Sequence, residues 1–191
     1  MKIAEDIRRC RLCVDRFAAT ETGHAPRPVL RARPGARILI AGQAPGMRVH
    51  QSGLPFDDPS GDRLRHWLGM DRETFYDVTR VAIVPMAFCF PGYRRGSDLP
   101  PPAICARTWR APLLGALGPV PLTLLVGGHA QTWHLKTRNV TETVSRWRDF
   151  LPGILPLPHP SWRNTAWLKR NPWFEAELMP ALRARVAEVM R

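Results

Sequence analysis

A chain of 191 residues, 45% hydrophobic and 23% charged, holds apolar material for one core of ordinary size, which excludes a disordered chain. Lys and Arg number 28 against 16 Asp and Glu, a formal net charge of +12; such an excess points to a polyanionic partner, nucleic acid before a membrane surface, and away from a neutral metabolite. Pro or Arg interrupts every apolar run well short of the roughly 20 residues a spanning helix needs.

The N-terminus, Met1-Lys2-Ile3-Ala4-Glu5-Asp6, carries two acids and no apolar stretch, so no signal peptide is expected and the expected location is cytoplasmic. In chain order the pattern then predicts a helix over 2–14, a buried strand over 37–41 and a helix over 60–69 with Ser60 as its N-cap. A strand over 81–84 leads into a proline-rich loop from Pro91 to Pro102, and a helix over 102–117 follows. The remainder reads as a strand over 122–126, helices over 128–135 and 141–150, a strand over 154–157 and a helix over 173–190. Strands alternating with helices imply an α/β fold: one three-layer α/β/α domain over 1–191 around a central, mostly parallel four-stranded sheet. In such a sheet the working residues lie in loops beyond the carboxyl ends of the strands, here the segments opening at Gly42, Pro85, Gly127 and Pro158.

Cys10, Cys13, Cys89 and Cys105 form a C-x2-C pair and a C-x15-C pair. In a reducing compartment four thiols with none left over suit a tetrahedral all-cysteine site better than two disulfides. Iron–sulfur and structural zinc both satisfy the spacing.

Two loops carry the signs of chemistry. Gly42-Gln43-Ala44-Pro45-Gly46 makes a stiff turn whose backbone N–H groups approach a ligand closely, although it lacks the Lys-Ser/Thr of a phosphate-cradling loop. Pro158-His159-Pro160 clamps a histidine at the end of the last strand.

With these residues in place the chain resembles the uracil-DNA glycosylase superfamily, and in particular its iron–sulfur branch. Gly42 to Gly46 matches the Gly-x-x-Pro-Gly turn, His159-Pro160-Ser161 the His-Pro-Ser/Ala loop, and Gly53-Leu54-Pro55-Phe56 the element whose aromatic stacks on the base. All four cysteines match the cluster spacing, so the resemblance implies a 4Fe-4S cofactor on Cys10, Cys13, Cys89 and Cys105. It also implies a monomer acting on DNA that carries a deaminated base, and a monofunctional hydrolase that flips out the damaged nucleotide and cuts its N-glycosidic bond. By the same resemblance Phe56, Gly42, Gln43, Ala44 and His159 bind the base, and His159 donates to the base carbonyl. Ser161, Trp162, Arg163, Lys169 and Arg170 contact DNA, with Trp162 or Arg163 filling the vacated stack.

Two positions depart from the family pattern. Where the first motif usually carries an acid, this chain has Gln43 and Ala44; where an Asn reads the uracil edge, it has Pro85, which offers no side-chain polar group. The replacement candidates for activating water are Asp58 first, then His50, with Gln43 able to position water but not to take its proton. Asp62 reads as a helix N-terminal acid. The departures also admit a catalytically weak module that binds damaged DNA without cutting it. A metal-dependent nucleotide hydrolase would need paired carboxylates, which are absent from the motifs.

Overall fold

The computed structural model describes residues 1–191. The elements are α1 (Lys2–Arg8), α2 (Val14–Ala18), β1 (Ile38–Ala41), α3 (Met47–Ser52), α4 (Pro59–Leu68), α5 (Arg72–Tyr76), β2 (Val81–Ile83), β3 (Tyr93–Arg94) and β4 (Ser97–Asp98) in the first half. The second half holds α6 (Ala103–Leu117), β5 (Leu122–Val126), α7 (Gly128–Leu135), α8 (Val140–Ser145), β6 (Ile154–Leu157), α9 (Thr165–Arg170) and α10 (Met179–Met190).

The four apolar runs form one sheet in the order β2-β1-β5-β6, and every pairing in it is parallel. Alternation along the strands divides the core. Ile38 and Ile40 point into the larger cluster with Leu124, Leu155, Leu64 and Trp67 of α4, and Leu182 and Val186 of α10. Leu39, Ala82 and Val84 point the other way, against Ala4 and Ile7 of α1 and Leu113 and Leu117 of α6. Helices therefore cover both faces, as expected of an all-parallel sheet, and each fully buried Leu or Ile contributes about 1.5–3 kcal/mol.

Three expected helices are interrupted. The segment 2–14 breaks after Arg8 and resumes at Val14; Leu12 and Val14 are exposed, so no apolar face carries the helix on. The segment 141–150 is α8 followed by a 3-10 turn at Trp147–Phe150, with the Asn139 side chain accepting from the Glu142 N–H as the cap. The segment 173–190 opens as a π-helical turn, Phe174–Leu178, before α10. Pro180 has no N–H to continue an α-helical ladder at that point.

Candidate active site

A cavity of about 560 Å³ opens at the carboxyl ends of the strands, within the range of small-molecule and nucleoside pockets. The turn after β1 supplies Gly42, Gln43 and Ala44; Pro85 follows β2; and the loop after β6 brings in His159, Ser161, Trp162, Arg163 and Asn164. Phe56, Asp58, Ser60, Asp98 and Leu99 complete the lining.

The turn after β1 is tied to the segment after β2 by backbone bonds: Met86 N–H donates to Gly42 O (2.9 Å) and Ala87 N–H to Gln43 O (3.1 Å). Phe56 sits at φ 57°, a left-handed conformation costly for an aromatic residue. Two glycines make room for it. A Cβ on Gly42 would lie 3.2 Å from the Phe56 ring, and one on Gly61 would lie 1.8 Å from the Phe56 carbonyl oxygen. The Tyr76 hydroxyl donates to Pro55 O at 2.9 Å, and Phe75 meets the Phe56 ring edge-on at 6.2 Å. The ring is thus held as a wall of the cavity.

Asp58, not the expected Ser60, is the N-cap of α4, which begins at Pro59 because the Asp58 side chain accepts from the Gly61 N–H. Its Oδ1 accepts from the Gly61 N–H (2.9 Å) and from the Ser60 hydroxyl (2.6 Å), and the residue also lines the cavity. Asp57 pairs with Arg72 at 2.9 Å and Asp62 pairs with Arg65; neither lines the cavity, so of the three neighbouring acids only Asp58 reaches it.

His159 packs against Gly127, whose φ of +85° and missing Cβ provide a flat floor; a Cβ there would lie 3.4 Å from His159 Cβ. Asn164 Nδ2 donates to His159 O (2.7 Å) and Arg63 Nη1 to Ser161 O (3.0 Å), so the loop is fixed by polar ties from its own turn and from α4. Burial pushes the His159 pKa below its ordinary value, against a smaller upward pull from the Asp58 charge. The imidazole is therefore neutral at physiological pH, able to donate one N–H without carrying a charge. Trp162 stands 73% exposed at the mouth with the Arg163 guanidinium 5.9 Å from its ring centre.

Other expected residues fall elsewhere. His50 does not line the cavity. It packs edge-on to His24 at 5.0 Å and near Phe90 at 5.9 Å, with a buried Nδ1 that has no partner, and burial followed by the charges of His24 and Arg27 lowers its pKa. Lys169 and Arg170 lie on α9, exposed and outside the cavity lining. Conversely, sequence reasoning missed Asp98 and Leu99, delivered by the β3–β4 hairpin, and Arg48 of α3. Gly92 and Gly96 were the available turn signals for the hairpin; both have positive φ.

Cys10, Cys13, Cys89 and Cys105 line one narrow, mostly apolar cavity between α1, the loop after β2 and α6. The thiols ring that space, and no three His, Cys, Asp or Glu side chains close on a single ion position. Trp109 Nε1 donates to Cys10 Sγ at 3.4 Å. Burial and the neighbouring thiols push Cys89 up to about 12, and burial pushes Cys105 up to about 11. An all-sulfur donor set with apolar walls fits a cluster whose ligands surround a body rather than a point.

A family model described as the uracil DNA glycosylase superfamily matches residues 31–183. That span holds the turn after β1, Phe56, Asp58, the His159 loop and two of the four cysteines; Cys10 and Cys13 precede it.

Proposed function

The chain belongs to the uracil-DNA glycosylase superfamily, and from that premise we propose that it is a monofunctional DNA glycosylase, working as one domain and one monomer, which hydrolyses the N-glycosidic bond of uracil or a related deaminated base in DNA and leaves an abasic site. The observation that carries the reading is the convergence of the Gly42–Gly46 turn, Phe56, Asp58 and His159 on one cavity at the strand ends.

Cleavage of the bond places negative charge on the departing base and positive charge on the sugar. Phe56 gives the flipped base a flat face, and the turn at Gln43 and Ala44 offers backbone groups along its edge. Neutral His159 donates to the base oxygen as charge develops there, a preorganised interaction worth about 3–4 kcal/mol in comparable sites. In this reading the Asp58 carboxylate attracts the sugar cation and orients water. Pro85 supplies no side-chain reader, so base selection rests on the shape of the cavity and on backbone groups rather than on an amide.

At the mouth of the cavity Trp162 and Arg163 are exposed side chains that would enter the duplex, and Lys169 and Arg170 outside it would extend the basic face. Log affinity should fall by about 0.9 per phosphate contact per decade of salt. The four cysteines would hold a 4Fe-4S cluster, which when bound ties the N-terminal segment to the loop after β2 and the start of α6. No step of the hydrolysis runs through it.

The test is cleavage of duplex oligonucleotides carrying uracil, hypoxanthine or xanthine, read as alkali-labile sites. Strand breaks at one of these bases support the reading. Tight, damage-selective binding with no abasic product would replace it with a binding module of the same fold.

A further inference from the structure

The cavity is lined by two carboxylates, and the second one belongs to no motif. Asp98 ends β4 of the short hairpin that follows β2. In the hairpin register Tyr93 faces Asp98 and Arg94 faces Ser97, so Tyr93 and Asp98 share one side of the ribbon. The Tyr93 ring packs edge-on to Phe90, with ring centres 5.0 Å apart, and Asp98 beside it is solvent-exposed while lining the rim of the cavity. The hairpin is fastened from both ends: Leu99 N–H donates to Gly92 O at 2.9 Å, and Arg95 N–H donates to the Glu21 carboxylate at 2.7 Å.

Asp98 takes part in none of the ion pairs of the protein, although 28 basic residues are available to it. On a surface of net charge +12 built to meet phosphates, an unpaired carboxylate at the mouth of the cavity opposes DNA binding. Its position makes chemical sense against a cation, and the species that carries positive charge in this cavity is the sugar during bond cleavage. Asp58, by contrast, has one oxygen already committed to capping α4, and the turn that carries the acid in much of the superfamily has Gln43 and Ala44 here.

We propose that Asp98 is a second catalytic carboxylate of the site, the group that takes the proton from the water attacking C1′ of the flipped nucleotide while Asp58 orients that water. This rests on the glycosylase reading above. The bond between C1′ and the base nitrogen breaks with its electron pair leaving on the base, which His159 holds. A bond forms between C1′ and the water oxygen, the released proton passes to the Asp98 carboxylate, and the base anion is later protonated from solvent.

The charged and titratable groups sharing the cavity are Asp58, the N-cap of α4, Arg48 from α3, and His159 and Arg163 from the loop after β6. Burial raises the Asp98 pKa, the Arg163 charge lowers it, and the Asp58 charge raises it again. The net upward shift makes the carboxylate a stronger proton acceptor than a solvated aspartate.

The experiment measures single-turnover cleavage of the three oligonucleotides by the full chain and its Asp98→Asn, Asp98→Glu and Arg94→Ala variants, together with binding to a duplex containing a tetrahydrofuran abasic analogue. Asp98→Asn should slow cleavage by about 10²-fold or more and lose the acidic limb of the pH–rate profile, with binding as tight as in the parent or tighter. Asp98→Glu should recover part of the rate, and Arg94→Ala, on the other side of the ribbon, should keep it. An Asp98→Asn rate within threefold of the parent overturns the inference, as does a fall in binding that accounts for the whole fall in rate. A parent protein that cleaves none of the three substrates refutes the glycosylase reading itself, and the role of Asp98 with it.

Discussion

Replacing Asp58 by Asn and by Ala separates its two duties. The structural duty is the cap: Oδ1 accepts from the Gly61 N–H at 2.9 Å and from the Ser60 hydroxyl at 2.6 Å. Removing an N-cap costs about 1 kcal/mol, and in a chain of this length each kcal/mol lowers Tm by roughly 2–4 °C. Asn caps as well as Asp does, so Asp58→Asn should melt with the parent while Asp58→Ala melts roughly 2–4 °C earlier. The proposed chemical duty is its charge at the cavity, and both variants lose it. Cleavage should slow by about 10²-fold in each, equivalent to about 2.7 kcal/mol of transition-state stabilisation. Thermal unfolding followed by circular dichroism and single-turnover cleavage under excess protein read the two effects independently. Adding Gln43→Glu to the Asp58→Asn chain should restore part of the rate, since both positions line the same cavity. Full activity in Asp58→Asn would remove Asp58 from the chemistry, and an equal loss of Tm in both variants would refute the capping argument.

Protein purified without oxygen should be brown, and Cys89→Ser should bleach the visible absorption and lower Tm; stoichiometric zinc without iron in the parent would contradict the cluster. Gly61→Ala drives a Cβ to 1.8 Å from the Phe56 carbonyl oxygen, a clash with backbone that should destabilise the chain by about 1–3 kcal/mol and slow cleavage by displacing the stacking ring. Burial, then the charges of Arg110 and Lys136, hold His134 down at about 3, and Arg110 donates to its Nε2 from Nη2 at 2.7 Å. An unfolded histidine takes its proton near 6.5, so the folded chain binds fewer protons below that pH. Stability should be full above about 6.5 and fall as the pH drops towards 3, with His159 contributing in the same direction. Urea midpoints measured against pH should show this slope, and His134→Gln should flatten it.

The sheet was legible because a strand buried on both faces needs an unbroken apolar run, and 37–41, 81–84, 122–126 and 154–157 supply four; the strands observed fall within them. The short helices α3, α5 and α9 were not legible, since five or six residues give too little periodicity to stand out from a loop. Cavity residues contiguous with a stiff turn, such as Gln43 and His159, could be read from the chain alone. Asp98 could not, because what brings it to the rim of the cavity is the pairing of two-residue strands and the packing of Tyr93 on Phe90. His50 shows the opposite failure. It is close in sequence to Gly46, but its helix turns it toward His24 and Phe90, away from the cavity.

The most direct test of base excision is release of the free base itself. Uracil-containing duplex is incubated with the parent chain and with His159→Ala, the supernatant is analysed for free uracil by mass spectrometry, and binding of both proteins to the same duplex is measured in parallel. The parent should release one uracil per abasic site formed, and His159→Ala should bind equally well while releasing it 10²- to 10³-fold more slowly, on the order of one lost preorganised donor to the departing base. Free uracil released equally fast by both proteins would contradict the role of His159, and binding by the parent without any free base would contradict the glycosylase assignment.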